Sequence, residues 1–429
     1  QMTPIAYQGL KKNILLEAIP AFTYTKRFRD ESGEWNRYYD RGEFSLTAKY
    51  GITSDLVLDA TYNPDFSQVE SDAGQVDINL RYALYYPEKR PFFLEGKENY
   101  HLSAINNTEV DPVINIVHTR NILNPLVGAK LSGKLGARNT LSTLYAYDER
   151  QGTVENIDQR DANFSVMRYK RSLQGDSYIG MIYTGKDEKD YGSHLGGLDG
   201  TMRINKSTTL LYNVLGSQTQ SRAKDLNLQG YTFGAVYHHD DRNLMYNFAI
   251  KDITEDFRAD VGYITRTGLA QATAMIRPHL YPRASWIRRI DLEAFTAQSY
   301  DRIYYMWETF NHVSADHHLF GAIRFKVKYS YSTEVYLGQR FRTGGFHVLL
   351  GGQFNKRLSA SVLYRNLNSI YYSDDPYQGR SNSITADVSY RPFDRFETEF
   401  SYIFKNFHDK AEGNQVYAYS IYRARLTFQ

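Results

Sequence analysis

The sequence predicts an all-β chain, a transmembrane outer-membrane β-barrel of about 18–22 antiparallel strands with an irregular segment in its lumen or at its rim. Three observations point there. Many segments alternate apolar and polar residues with a period of two. Tyrosine and phenylalanine, at 37 and 23 residues, dominate a 15% aromatic fraction. No stretch approaches the ~18 uncharged apolar residues that a spanning helix needs.

The alternation sets the strands, because successive side chains of a barrel strand face lipid and lumen in turn. Phe396, Thr398, Phe400, Tyr402 and Phe404 share one face, opposite Glu397, Glu399, Ser401 and Lys405. Ile384, Ala386, Val388 and Tyr390 oppose Thr385, Asp387 and Ser389, and Leu358, Ala360, Val362 and Tyr364 oppose Ser359, Ser361 and Arg365. Upstream, Phe44, Leu46, Ala48 and Tyr50 oppose Glu43, Ser45, Thr47 and Lys49. Tight polar connectors such as Asn205-Lys206-Ser207 and Asn355-Lys356-Arg357 separate these runs and leave little room for helices. Longer polar links, 216–230, 334–345, 369–381 and 406–414, read as external loops. Between Thr254 and Asp316 the short connectors do not alternate cleanly. The last run, Val416 to Phe428, keeps an apolar face to the end of the chain, as a closing barrel strand does.

Composition excludes several function classes. The 51 basic and 48 acidic residues leave a formal charge of +3 on 429 residues, with none of the clustered excess that marks a nucleic-acid binder. There is no cysteine, hence neither a disulfide framework nor a thiolate metal site. Tyrosine carries an apolar ring and a wet hydroxyl, which suits the boundary between hydrocarbon and headgroup. The opening residues Gln1 to Leu10 lack the charged-then-apolar pattern of a secretory signal, so a targeting peptide is expected to have been removed, and an upstream domain is allowed.

From Asn63 to Tyr100 the alternation fails. Pro87 and Pro91 each remove a ladder donor, so the stretch between them cannot lie within a sheet. Irregular backbone at membrane depth is tolerated only inside protein or a wet cavity, which predicts a plug folded into the lumen or an ordered cap at one rim. Residues 63–76, Asn-Pro-Asp-Phe-Ser-Gln-Val-Glu-Ser-Asp-Ala-Gly-Gln-Val, and 87–96, Pro-Glu-Lys-Arg-Pro-Phe-Phe-Leu-Glu-Gly, closely resemble the hallmark of a Bacteroidota outer-membrane barrel family of unknown function. Thr119-Arg120 with the run Gly128 to Lys134, and Asp260 to Arg266, look like its later motifs. Ser71 stands where the family pattern leads one to expect a smaller residue such as alanine. The resemblance implies a barrel. It also implies that a carbohydrate-binding family-nine-like domain, commonly N-terminal to the barrel in this family, is absent from this chain. It supplies no catalytic residue.

Candidate site residues follow from the same segment. Asp65, Glu70, Asp72 and Asp77 supply hard oxygen ligands suited to a divalent cation, but their spacing is not that of the twelve-residue calcium loop. The favoured reading is a polar loop bridged to Arg81, Lys89 and Arg90 within the barrel, with Glu95 beside them. His238-His239-Asp240-Asp241 and His312 with Asp316-His317-His318 fall at expected turns, and adjacent strand histidines point to opposite faces, so no metal site is expected there. On the lumen wall, a symmetric closing loop sets Glu397 opposite Arg425 and Glu399 opposite Arg423 as cross-strand charge pairs.

These features favour a channel or uptake component for polar solutes or glycans in the bacterial outer membrane, with membrane lipid as its surroundings and no cofactor. A structural or assembly subunit in complex with other outer-membrane proteins is the alternative. A barrel-embedded hydrolase ranks last, since neither a Gly-x-Ser-x-Gly elbow nor a His-Glu-x-x-His pair occurs.

Overall fold

The computed structural model describes residues 16–31, 34–64, 78–105, 108–153 and 156–428. Among the described residues twenty strands form one antiparallel sheet, the wall of a barrel. The wall runs from Leu16–Glu31 paired with Glu34–Gly51 to Phe396–Asp409 paired with Gln415–Phe428, each wall strand pairing with the one that follows it. Among the described residues no helix is long and apolar enough to cross a membrane.

Period-two patterning decides which side chains face out. Phe44, Leu46, Tyr50, Val214, Phe248, Val313, Tyr329 and Phe400 are all exposed on the outer surface, forming the apolar belt of a barrel held in lipid. Their strand neighbours, among them Ser45, Asn213, Ser314 and Ser330, are buried within. The turns form where side chains can stand in for the lost ladder. Asn355 Oδ1 accepts from the amides of Arg357 and Leu358, at 2.8 and 3.0 Å. Asp241 Oδ1 does the same for Asn243 and Leu244, at 2.8 and 2.9 Å.

The stretches expected to be long external loops are instead continued strands. Thr208–Ser221 pairs with Leu226–Asp240 up to Ser221↔Leu226, and Ala322–Tyr336 pairs with Gln339–Gln353 up to Tyr336↔Gln339. Leu358–Tyr371 and Tyr377–Phe393 likewise meet at Tyr371↔Tyr377. The ladder outruns the belt. Beyond the lipid both faces meet water, so outward positions such as Gln218, Gln220 and Gln229 are polar and exposed, and the hydropathy alternation lapses while the hydrogen bonding persists.

The wall is broken by two long connections at the same end, and the described residues of both fold into the bore. Leu56–Tyr62 pairs directly with Pro125–Leu135, bypassing everything from Asn63 to Asn124. Leu244–Ile253 pairs with Leu269–Leu280, bypassing 254–268. Inside, Val113–Asn115 from the first insertion pairs with Tyr263–Ile264 from the second as a two-stranded sheet. The irregular segment thus reaches Asn124 rather than stopping at Tyr100.

Two apolar clusters fasten the insertions to one side of the wall. Phe92, Phe93, Tyr100 and Ile122 pack on Leu144, Ala146, Ala162, Phe164 and Val166. Val113, Ile116 and Phe257 pack on Ile182, Leu195, Leu215 and Ile253. Each fully buried Phe, Leu or Ile contributes about 1.5–3 kcal/mol, so this patch of inner wall is a dry core rather than a channel lining. Close approach needs Gly230, where a β-carbon would lie 2.3 Å from the backbone nitrogen of Phe257. Gly230→Ala is expected to lift residues 254–268 from the wall at a cost of about 1–3 kcal/mol. Hydrogen exchange across those residues measures it; unchanged protection would contradict the packing.

Candidate functional site

The inserted segment is locked to the wall by buried charge. The strand Asn156–Ser172 turns Arg168 inward and the strand Tyr191–Arg203 turns Asp199 inward; their side chains are 1% and 0% exposed and meet at 2.6 Å. Gly180 lies between them in register, opposite Lys170 on one strand and Asp199 on the other. A β-carbon at Gly180 would sit 2.5 Å from the guanidinium, so the missing side chain lets the fork pass. Asp199 also accepts from the Ser103 amide at 2.8 Å and the Tyr178 hydroxyl at 2.9 Å. Asn213 donates to the carbonyls of Ser103 and Ala104, at 2.8 and 3.0 Å. Wall groups thereby satisfy backbone that has no ladder of its own, which buried peptide groups require.

A second lock forms between the two prolines. Pro91 opens a single helical turn, Pro91–Leu94, where its missing amide costs nothing. Arg90 donates to both oxygens of Glu88, at 2.8 and 2.7 Å, and to the carbonyls of Ile122 and Thr119, at 2.7 and 2.6 Å. Thr119 Oγ1 adds a 2.6 Å bond to Glu88. Burial opposes ionisation of Glu88, but the hydrogen bonds and charge of Arg90, with Thr119, outweigh it and hold the carboxyl at about 2. Asp148, 0% exposed, reaches from the wall to the amides of Leu123 and Asn124 at 2.7 and 2.8 Å. Lys251 of the wall pairs with Asp111, and both are buried.

On the opposite side the contacts thin to polar bridges. Asn79 donates to the Ile370 carbonyl at 2.7 Å and accepts from the Tyr372 amide at 2.8 Å. Arg81 meets Glu334 at 2.6 Å, and Glu334 also takes the Tyr372 hydroxyl at 2.9 Å. Between plug and wall here lies a cavity of about 610 Å³. Tyr82, Tyr85, Phe310 and Tyr372 supply aromatic faces, and Arg81, Gln271, Glu308 and Thr333 supply hydrogen-bonding groups. Arg266, at its edge, is fixed by Asp301 and Glu308, each at 2.6 Å. Such a lining offers both stacking faces and hydrogen-bonding groups. His118, stacked on Tyr85 at 4.9 Å, has its pKa lowered chiefly by burial.

The structure disposes the residues singled out from sequence as follows. Asp65, Glu70, Asp72 and Asp77 lie outside the described residues. Arg81 is held by Glu334 and Arg90 by Glu88, while the backbone amide of Lys89 donates to Glu88 at 3.0 Å. Glu95 binds Lys49 of the wall at 2.6 Å, and its carbonyl accepts from Lys130 at 3.1 Å. In the last hairpin the expected pairing is corrected by two residues: Glu399 faces Arg425, Glu397 faces Thr427, and Arg423 faces Ser401. The turn is not symmetric. Asp409 and Gly413, the latter at φ 71, place its centre later, and a bulge follows Phe407. A two-residue slip keeps every side chain on its face. Glu397 bonds back to Arg391 at 2.5 Å and Ser389 at 2.8 Å.

His312 is a further correction. It is not at a turn but within the strand Met306–Leu319, 4% exposed, and contacts Glu293 at 2.7 Å. His318 and His279 both reach Asp291, at 2.9 and 2.6 Å. Among the described residues no three His, Asp or Glu side chains assemble a metal site. Sequence reasoning missed Glu88, Asp148, Arg168, Asp199 and Glu334. Glu88 lay within the marked proline-bounded stretch, and a test of its two-residue spacing to Arg90 would have found it. The others are single charges in alternating strands, where no local pattern distinguishes a lock from an ordinary lumenal residue.

The barrel is similar to the FrpB iron transporter of Neisseria meningitidis. For its F3-3 variant the TM-score is 0.45 and the identity 10%, over 98% of this chain and 75% of that one. For the F5-1 variant the TM-score is 0.44 at 9% identity, over 98% and 76%. An E. coli P pilus tip assembly intermediate, PapC-PapD-PapK-PapG, gives a TM-score of 0.36 at 10% identity, over 96% and 57%. No curated protein matches the sequence. Residues 19–105, which include the proline-bounded lock, match a domain of unknown function, DUF5916.

Proposed function

We propose that this protein is an outer-membrane uptake channel for polar solutes, glycans among them, held shut by the segment inserted between Tyr62 and Pro125. One observation carries the reading. The insertion is fixed to one side of the inner wall by buried ion pairs and apolar packing, while the polar, aromatic-lined cavity of about 610 Å³ separates it from the other. Asymmetric anchoring lets one edge of a plug yield without the whole leaving the bore. The resemblance to a Bacteroidota barrel family, whose members commonly carry a carbohydrate-binding family-nine-like domain, supports the glycan part of the reading. The apolar belt supports a place in bacterial outer-membrane lipid.

The ends of the insertion are adjacent, since the Asn63 amide donates to the Leu126 carbonyl at 2.6 Å. A short Gly/Ser linker can therefore replace residues 64–124 without straining the wall. In planar bilayers the full chain is expected to show closed or brief low-conductance behaviour, and the linker variant a steady step. Absence of current from a correctly folded linker variant would remove the channel reading.

A further inference from the structure

On the channel reading, we infer that the inner-wall row Lys328, His347, Arg365 and Lys405 is a binding track for an oligosaccharide bearing carboxylate or sulfate groups, with Glu109 of the plug holding its first position until the solute displaces it.

The row is set by register. Lys328 faces His347, His347 faces Arg365, Arg365 faces Ser383, and Ser383 faces Lys405 on consecutive strands. Tyr329, Phe346 and Tyr364, the sequence neighbours of Lys328, His347 and Arg365, are exposed on the outer surface, so alternation turns the basic groups into the bore. Strands lie about 4.8 Å apart, which spreads the three cations Lys328, Arg365 and Lys405, with the His347 ring between the first two, over about 19 Å at one level. That length suits an extended solute with several anionic groups better than a single small ion. Rings and rows of Lys and Arg select anions in pores.

Carboxylates on the strands around Lys328 are engaged elsewhere. Glu293 is engaged by Arg277 and by His312, and Asp316 by Arg324. Arg365 forms no ion pair among the described residues, and its planar fork matches a carboxylate or sulfate in two-point contact. The acid that meets Lys328 belongs to the plug. Glu109 bonds Lys328 at 2.5 Å, and its side chain is 51% exposed while that of Lys328 is 11% exposed. A half-exposed carboxylate on a sheltered ammonium occupies the place a solute anion would take, and water already reaches the carboxylate side of the pair, where exchange would begin. Phe310, its ring 5.5 Å from the Lys328 ammonium, offers a flat apolar face beside that position.

The track is tested by isothermal titration of the full chain in detergent with tetragalacturonate, and with maltotetraose as the neutral probe of equal length. Tetragalacturonate is expected to bind at least about tenfold more tightly. Its affinity is expected to fall with added salt. Arg365→Gln is expected to weaken it about tenfold, and Glu109→Gln, which removes the competing carboxylate, to tighten it about threefold or more. Equal binding of both probes, or an unchanged affinity in Arg365→Gln, would overturn the inference. So would unchanged or weaker binding in Glu109→Gln, a variant that a merely structural ion pair would not improve. The titration needs no current, so a silent bilayer with a normal titration discards the channel and keeps the site, and the converse discards the site alone.

Discussion

Replacing Arg168 with methionine is expected to free the middle of the plug from the wall, at a cost of about 3–5 kcal/mol. The size follows from what remains. Asp199 is fully buried and would keep only the Ser103 amide and the Tyr178 hydroxyl as donors, leaving a carboxylate sealed from water without its counter-ion. The pair itself gains little net energy over a well-packed apolar pair, so Arg168→Met combined with Asp199→Leu is expected to recover much of the loss. Hydrogen exchange at residues 101–104 reads the single variant, and protection equal to that of the parent would show that the lock is dispensable.

Acidification is expected to loosen the second lock. The folded pKa of Glu88 is lowered to about 2 from 4.5, so the stability this carboxylate confers is complete above about pH 4.5 and is lost as the pH falls toward 2. The difference corresponds to about 3 kcal/mol at neutral pH. Glu88→Gln is expected to remove a similar amount at pH 7 and to flatten the dependence between pH 4.5 and 2, because glutamine neither ionises nor binds Arg90 with both oxygens. Unfolding of parent and variant across that range, followed by exchange at residues 88–122, measures the difference. Parallel curves would assign the acid sensitivity to other groups.

How much of this was legible in the sequence depended on whether a local pattern carried it. Strands such as Phe396–Asp409 were readable because one face meets hydrocarbon and the other does not, which forces alternation over many residues. The same rule failed beyond the belt, where Gln218 and Gln229 face water and a continuing ladder leaves no hydropathy trace. Register in the closing hairpin was set by the turn around Asp409 and Gly413, which hydropathy does not record, so the expected partners were two residues off. The segment from Asn63 was recognisable by its prolines and lost alternation, but its full extent to Asn124 was not. Its last part depends on distant wall groups such as Asp148. Arg168 and Asp199 were invisible as a pair for the same reason: they lie 31 residues apart and meet only because the intervening strand places a glycine between them.

Introduced cysteines can read directly whether the inserted segment is seated in the bore of the membrane-embedded protein. The chain has no cysteine, so an introduced pair reports without background. Ser103 of the plug and Thr201 of the wall bring their hydroxyl oxygens to 2.6 Å, and Ser103→Cys with Thr201→Cys places two thiols within bonding reach. Mild oxidation in liposomes is expected to join the pair nearly completely and to leave neither thiol open to a membrane-impermeant maleimide. Two free thiols, both labelled, in a barrel that remains folded would place the segment outside the bore and contradict the account.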